Sequence, residues 1–149
     1  MSSEAVIRPA RVDELAAVLR LWQESGVTPP SVTDSIEGLT RLMSAPGGVL
    51  FVAFIDGLLV GSVIGGWDGW RGNIYRLAVT PEYRRRGIAR RLVAEISEAL
   101  FAEGAERLSA LVSTNIGGRW IFGSPCATSV TSTIHGSRDT YRTAPNLLV

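Results

Sequence analysis

Three consecutive arginines, Arg84, Arg85 and Arg86, stand directly before Gly87 in the middle of the chain. Guanidinium groups bind phosphates through paired, charge-assisted hydrogen bonds. Apolar residues at positions 88, 92, 96 and 100 predict that a helix begins just after the glycine. A helix N-terminus presents free backbone N–H groups and about half a positive charge, and Gly87 and the small Ala89 let an anion approach the main chain. The pattern therefore predicts a site for a pyrophosphate or a similarly charged group.

A buried strand is predicted to position this site. Residues 74–79 are rich in β-branched and aromatic types, and Pro81 cannot continue a central strand. The chain thus runs from a strand through a short basic turn into a helix. The alternative is an ordinary surface turn capped by arginines. A second alternative is a nucleic-acid patch, which a formal net charge of only +1 and the absence of interleaved aromatic residues disfavour.

The sequence Arg84-Arg85-Arg86-Gly87-Ile88-Ala89 fits the pattern (Arg/Gln)-x-x-Gly-x-(Gly/Ala). With Leu-Ala-Val-Thr-Pro-Glu-Tyr in front and an amphipathic helix behind, it resembles the acetyl-CoA loop of the Gcn5-related N-acetyltransferases, the GNAT family. The resemblance covers residues 6–115. It implies an α/β (α+β) fold with a mixed, mostly antiparallel central sheet flanked by helices. It also implies transfer of an acetyl group from acetyl-CoA to a primary amine by direct attack.

The resemblance implies that backbone groups make most of the contacts with the cofactor. Backbone amides from Arg85 to Arg90 would hold the pyrophosphate, Arg84 and its neighbours would supply charge, and the edge of residues 77–79 would pair with the pantetheine amides. A Val79 N–H near the thioester carbonyl would stabilise the developing oxyanion. The cofactor-binding residues implied are Leu77, Ala78, Val79, Arg84, Arg85, Arg86, Gly87, Ile88, Ala89, Arg90 and Asn115. No metal site is predicted.

Deprotonation of an ammonium acceptor requires a general base, acting directly or through water. Asp68 and Tyr75 are the candidates, with alternative roles as a turn cap and as a packed strand residue. The run around Asp68 is similar to a Gly-Gly-(Trp/Tyr)-Asp-Gly-x-Arg-Gly run in a bacterial subgroup of the family. Trp67 and Trp70 therefore either cap the sheet or line an acceptor pocket. Many relatives use a tyrosine of the last helix as general acid, and its absence here leaves water for that role.

The remaining elements follow from periodicity and from breaking residues. An edge strand ends at Pro9, and a first helix runs from Asp13 to Gly26 with Trp22 in the core. A second helix covers residues 34–43. Two apolar strands, 49–55 and 58–64, flank an Asp-Gly turn, and their lack of polar alternation predicts that both faces of the sheet are covered. A helix over residues 89–103 ends at Gly104, and a strand covers residues 107–112.

Composition places the chain among single-domain proteins. A length of 149 residues with 46% hydrophobic content is enough for one core. A single cysteine excludes an internal disulfide, and the chain shows neither a signal peptide nor a stretch long enough to cross a bilayer. These features predict a cytoplasmic protein that does not bind membranes or nucleic acid. The partner implied is a small-molecule or peptide amine.

The chain changes character after Asn115. Asp139 is the only acidic residue beyond it, Ser and Thr multiply, and no helical stripe appears. Re-reading each codon from the last base of the preceding one turns residues 118–123 into a sequence that can be Ala-Val-Asp-Phe-Trp, and the aspartate is forced because Trp has one codon. Continuing to Thr133 can give Glu-Ser-Leu-Arg-Tyr-Glu-Arg-Asp-Glu. This restores most of the family's last-helix motif, of which only Asn115 is otherwise present.

We therefore predict one acetyltransferase domain over residues 1–149, with residues 116–149 an atypical tail translated out of frame. The family's fourth helix and its sixth and seventh strands would be absent or improvised, which would expose a flank of the sheet and favour homodimers or tail-mediated self-association. Cys126 and His135 are then accidents of the frame. Three functions stay open: an active N-acetyltransferase, a CoA-binding domain with impaired catalysis, and an arginine-rich nucleic-acid binder.

Overall fold

A computed structural model describes residues 3–26, 31–113 and 131–136. The strands are β1 (Val6–Pro9), β2 (Gly48–Ile55), β3 (Leu58–Trp67), β4 (Gly72–Val79), β5 (Leu108–Ser113) and β6 (Thr131–Gly136), and the helices are α1 (Leu15–Ser25), α2 (Ile36–Ser44) and α3 (Ile88–Glu103). Left-handed glycines, Gly26 and Gly104, end α1 and α3 where the sequence places their stops. The side chain of Ser35 caps α2 by accepting a hydrogen bond from the Gly38 amide.

The strands form one six-stranded sheet in chain order, β1 to β6. Every neighbouring pair is antiparallel except β4 and β5, which α3 connects and which run parallel. The predicted fold class, a mixed and mostly antiparallel sheet flanked by helices, is confirmed. Strand β1 lies at the edge, as Pro9 indicates.

Helices cover both faces of the sheet, as the unbroken apolar strands predict. One hydrophobic cluster lies between the sheet and α3 and contains Leu92, Ile96 and Leu100, each fully buried. The other lies between the sheet and the two N-terminal helices and contains Leu15 and Val18, also fully buried. Burial of each such side chain contributes about 1.5–3 kcal/mol. These clusters hold α3 on one face and α1 with α2 on the other.

Two glycines of β3 let α3 lie close to the sheet. A Cβ atom at Gly61 would stand 3.0 Å from a methyl of Leu92, and one at Gly65 would stand 2.7 Å from the Ile96 side chain. Larger residues at these positions would push the helix away. The short distance between β3 and α3 fixes where α3 lies, and therefore where the loop of residues 80–87 lies relative to β4.

Strand β3 is longer than predicted, because residues 65–67 continue its pairing with β4 and leave residues 68–71 as the turn. Trp67 packs on the α3 side of the sheet, beside Gly104, so of the two roles considered for it the geometry favours the cap of the sheet. Trp22 lies in the core with 7% of its surface exposed, as predicted. Its indole N–H donates a hydrogen bond to the buried Ser62 hydroxyl at 2.9 Å.

The tail contributes a strand that the sequence does not predict. Strand β6 pairs with the whole of β5, from Leu108↔Gly136 to Ser113↔Thr131. The prediction that the loss of the family's last strands leaves this flank of the sheet exposed is therefore wrong for β5, because backbone pairing needs no particular side-chain motif. The family's fourth helix, predicted to be absent or improvised here, would fall on residues outside those described.

Candidate functional site

Strands β4 and β5 separate halfway along their length. Their pairing covers Gly72↔Leu108, Asn73↔Ser109 and Ile74↔Ala110 and then stops, although both strands continue. Within the described residues, the edge of β4 that faces β5 has no strand partner from residue 75 to residue 79. An open strand edge offers backbone N–H and C=O groups to an extended ligand that carries amides of its own. This wedge between the two strands is the first part of the site.

A β-bulge lies in β4 at the point of separation. Ser62 pairs with Ala78 and Ile64 with Tyr75, so Val63 stands opposite two residues of β4. Arg76 is the bulged residue and has a left-handed φ of +51°. Such a bulge bends the strand and redirects its side chains.

The bulge directs two successive side chains, those of Tyr75 and Arg76, to the α1/α2 side of the sheet. Gly65 faces α3, so the next residue, Gly66, faces the opposite side. The Tyr75 ring lies 3.6 Å from the Cβ position of Gly66. The Arg76 guanidinium lies 5.3 Å from the centroid of the Trp22 ring, in the α1/α2 layer. The side chains of Leu77 and Val79 pack in the cluster on the α3 side.

The loop after β4 forms the second part of the site. The Thr80 N–H donates to the Val60 carbonyl at 2.9 Å, and a single 3₁₀ turn, Pro81–Tyr83, follows. Arg85 and Gly87 both have left-handed backbones, with φ of +62° and +77°. A Cβ atom placed on Gly87 would meet nothing within 4 Å, so space is open above the loop.

The start of α3 presents free amides into that space. The first intrahelical bond runs from the Arg91 N–H to the Gly87 carbonyl at 3.1 Å, and no side chain caps the helix. The amides of Gly87, Ile88 and Ala89 therefore precede the helical ladder. Gly87 and the arginines before it are exposed, so this end of the helix faces solvent. Together with the positive end of the helix dipole, this arrangement can bind an anion.

The side chains of the three arginines of the loop make different contacts. The Arg84 side chain donates to the carbonyls of Val79 and Ser25, at 3.1 and 3.0 Å, and so ties the loop to the end of β4 and the end of α1. These bonds give Arg84 a structural role, and because both partners are neutral carbonyls its positive charge remains, so its predicted role as a source of charge stays a prediction. Arg86 stacks on Tyr83 at 4.8 Å. The Arg85 side chain is exposed and has no hydrogen bond or ion pair with the described residues.

Asp68 caps the turn between β3 and β4. One of its carboxylate oxygens accepts hydrogen bonds from the amides of Trp70 and Arg71, both at 2.8 Å. The Arg71 amide, followed by the Trp70 amide, lowers the pKa of the carboxyl below its ordinary value. A base whose pKa is lowered in this way is a poor proton acceptor. Of the two roles considered for Asp68, the geometry favours the turn cap.

Tyr75 lies on the α1/α2 side of the bulge, with 44% of its surface exposed. Burial, and to a lesser degree the negative charge of Asp68, raises the pKa of the phenol. Tyr75 therefore keeps its proton at neutral pH. It is unsuited to the role of general base but can donate a hydrogen bond.

One cluster was missed by the sequence reasoning. Asp34, at the entrance to α2, forms an ion pair with Arg76 on β4 at 2.5 Å and also accepts a hydrogen bond from the Ser31 amide. Both side chains are largely buried, with 16% and 15% exposed. The two residues are 42 positions apart, and no local pattern in the sequence links them. The Trp22 ring lies against the same guanidinium.

Asn115, the last predicted cofactor contact, lies outside the described residues. Across residues 3–26, 31–113 and 131–136 no three His, Cys, Asp or Glu side chains gather in a way that could hold a metal ion. No helix in the same part of the chain is both long and apolar enough to cross a membrane.

Comparison with known proteins gives one consistent result. Residues 15–117 match the profile of the acetyltransferase (GNAT) family. An acetyltransferase from Photorhabdus laumondii is 36% identical over 106 residues, which cover 71% of this chain and 73% of the relative.

Solved structures with the same fold include the PaiA N-acetyltransferase of Thermoplasma acidophilum in complex with coenzyme A, with a TM-score of 0.65 and 20% identity over 75% of this chain and 81% of that one. A GNAT family acetyltransferase of Brucella melitensis in complex with acetyl-CoA has a TM-score of 0.61 and 21% identity over 78% of this chain and 79% of that one.

Proposed function

Since the chain belongs to the acetyltransferase (GNAT) family, we propose that it transfers an acetyl group from acetyl-CoA to a primary amine by direct attack in a ternary complex. One observation carries the proposal: uncapped amides at the start of α3 lie beside an unpaired edge of β4. The first feature suits a diphosphate and the second suits a chain of amides. Coenzyme A contains both.

The diphosphate would lie on the amides of Gly87, Ile88 and Ala89, with Arg85 and Arg86 as the nearby exposed cations. The pantetheine arm would run along β4 in the wedge, pairing with the main chain of Leu77, Ala78 and Val79. The remaining predicted contacts, Arg90 and Asn115, belong to the same proposed site. The family neighbours bound to coenzyme A and to acetyl-CoA support this placement.

Main-chain groups would also assist the chemistry. Acetyl-CoA supplies the activated acetyl group, and attack by an amine places negative charge on the thioester oxygen. A Val79 N–H aimed at that oxygen would stabilise the charge by up to about 3–4 kcal/mol. The Arg84 side chain holds the Val79 carbonyl and so keeps this end of β4 in place.

Proton transfer would use Tyr75 as a donor rather than as a base. Its raised pKa keeps the phenol protonated, so it can donate a hydrogen bond to the leaving thiolate of coenzyme A. The proton of the attacking ammonium would leave through water. Asp68 would act at a distance, by fixing the turn that precedes β4.

The proposal is tested by calorimetry with acetyl-CoA, followed by an assay for released thiol over a panel of small amines and of peptides with free N-termini or lysines. We expect binding in the micromolar range and thiol release with a subset of the panel. Absence of acetyl-CoA binding would contradict the proposal. Salt-dependent binding to duplex DNA without affinity for coenzyme A would instead support the nucleic-acid alternative.

A second candidate is a domain that binds coenzyme A but is impaired in catalysis. The match to the family profile ends at residue 117, close to the point where the composition changes. We propose that residues 116–149 are an out-of-frame tail on a single domain. Sequencing the coding DNA in both frames tests this, because the alternative frame should encode the Phe-Trp motif after Asn115, and a relative with this tail in frame would contradict it.

A restored-frame protein provides the matched comparison for catalysis. We expect both chains to bind acetyl-CoA, since the proposed diphosphate site lies within residues 77–90. The restored chain should release thiol at least about tenfold faster if the lost helix completes the active site. Sedimentation of both chains tests the predicted self-association through the tail. Equal rates of thiol release and equal sedimentation would show that the tail impairs neither catalysis nor the association state.

A further inference from the structure

The bulge in β4 requires Arg76 to adopt a left-handed backbone conformation, which arginine disfavours. Arg76 has a φ of +51°, whereas side chains other than glycine strongly prefer negative φ. Such a conformation persists where surrounding contacts determine it. Within the described residues, those contacts come from the other layer of the molecule.

Two contacts from the α1/α2 layer hold the Arg76 guanidinium. The Asp34 carboxylate pairs with it at 2.5 Å, and the face of the Trp22 ring lies 5.3 Å away. Each partner is fixed in turn. The Ser31 amide donates to the same oxygen of Asp34 at 2.9 Å, and the Trp22 indole donates to Ser62, which lies on β3 opposite Ala78.

We infer that Asp34 is a positioning residue for acetyl transfer, which acts through Arg76 by holding the bulge of β4. The bulge lies between Tyr75, on the α1/α2 side of the sheet, and residues 77–79 of the strand edge that faces the wedge. Loss of the Asp34 contact would let the bulge relax toward regular pairing, which would turn Tyr75, while the pairing of Ala78 and Val79 with β3 would keep the edge proposed for pantetheine in place. The diphosphate site at Gly87 would stay in place, because Arg84 and the packing of α3 hold it independently.

This inference rests on the proposed acetyl transfer, and its test separates the two. The variant Asp34→Asn removes the charge and keeps the shape. We expect kcat to fall about tenfold while the Kd of coenzyme A stays within about twofold of the wild-type value. The control is Glu14→Gln in the Arg8–Glu14 pair, a comparably buried carboxylate beside the β1 edge of the sheet, whose kcat should stay within about twofold. A kcat for Asp34→Asn that matches the control would overturn the inference.

Two substitutions of Arg76 distinguish support of the backbone from contact with substrate. Glycine adopts a left-handed φ without strain and alanine does not. Arg76→Gly should therefore keep a kcat at least about threefold above that of Arg76→Ala, and adding Asp34→Asn to Arg76→Gly should change nothing further. Equal losses in the two variants would show that the guanidinium acts on the acceptor itself and would overturn the inference.

Amide hydrogen exchange of residues 75–79 gives a readout that needs no activity. We expect faster exchange in Asp34→Asn and Arg76→Ala than in wild type or Glu14→Gln. Unchanged exchange would overturn the inference even in an active enzyme. A wild-type protein that fails to bind acetyl-CoA but shows the expected exchange pattern would contradict the proposed function and leave the support of the bulge confirmed.

Discussion

The two ends of β4 satisfy their backbone groups in opposite ways. At the N-terminal end, residues 72–74 pair with strands on both sides, and the carboxylate of Asp68 takes up two amides of the preceding turn. At the C-terminal end, one edge has no strand partner in the described part of the chain, the backbone bulges at Arg76, and the next helix begins without a side-chain cap.

One end of β4 therefore serves to hold the fold together, and the other end offers backbone groups that a ligand could bind. At the N-terminal end, strand pairing on both sides and the Asp68 carboxylate satisfy these backbone groups. At the C-terminal end Arg84 holds the Val79 carbonyl and Asp34 holds the Arg76 side chain, while no strand of the described residues pairs with the β4 edge over residues 75–79. Unsatisfied backbone groups near a surface are tolerated where water or a ligand can reach them.

The largest expected effect comes from Gly87, at the open end. Gly87→Ala adds a Cβ in the space proposed for the diphosphate and strains a φ of +77°. We expect the affinity for coenzyme A, measured by calorimetry, to fall about 10- to 100-fold.

Gly57 provides a matched control, because it has the same φ of +77° and the same empty space around its Cβ position, but lies in the turn between β2 and β3. Gly57→Ala and Gly87→Ala should lose similar stability, about 1 kcal/mol each. Only Gly87→Ala should lose affinity. A comparable loss of affinity in both variants would contradict the proposed diphosphate site.

Substitutions of Arg84 and Arg85 distinguish support of the loop by hydrogen bonds from attraction of the ligand by charge. Arg84→Ala removes two hydrogen bonds to carbonyls and should lower the free energy of unfolding by about 1–3 kcal/mol in urea titrations. Arg85→Ala should leave stability within about 0.5 kcal/mol and lower the affinity for coenzyme A about threefold to tenfold. The effect of Arg85→Ala should shrink at high salt. A loss of affinity alone in Arg84→Ala, with a loss of stability in Arg85→Ala, would contradict the roles given to the two arginines.

Tyr75→Phe tests the proposed role of the Tyr75 hydroxyl on the α1/α2 side of the bulge. Its effect should be smaller than those of the Gly87 and arginine variants. Loss of the hydroxyl should lower kcat about fivefold while the Kd of coenzyme A is unchanged, because the proposed hydrogen bond forms to the leaving group. Ultraviolet titration of wild type against Tyr75→Phe should place the pKa of Tyr75 above the ordinary tyrosine value, since burial disfavours the phenolate. A pKa below that value would restore Tyr75 as a candidate base.

Asp68→Ala, at the closed end, should have the smallest effect on activity. The pKa of Asp68 is lowered in the folded state, so the stability it contributes is fully present above the pKa of the unfolded carboxyl and is lost as pH falls through the folded value. Urea titrations should show the variant less stable than wild type at neutral pH, with the difference shrinking in acid. A large fall in kcat at unchanged stability would contradict the turn-cap role and support Asp68 as a base.

Much of this protein follows from short-range patterns. Each helix and five of the six strands follow from apolar spacing and from breaking residues, since Gly26, Gly104 and Pro9 act on the backbone within a few residues of themselves. The turn at Gly87 and the helix after it were predicted in the same way, because the glycine and the helix start are adjacent in the chain. Strand β6 escaped prediction, since its pairing with β5 is carried by backbone groups rather than by a residue pattern.

The sequence by itself determined the strand–turn–helix unit and, through it, the family, because every residue of that unit acts on its near neighbours. Only the tertiary structure decided which side chains serve the site and which brace it. Arg84 binds the carbonyl of a helix 59 residues away, and Arg76 meets Asp34 across 42 residues. Contacts of that kind depend on how the layers pack, and no local pattern records them.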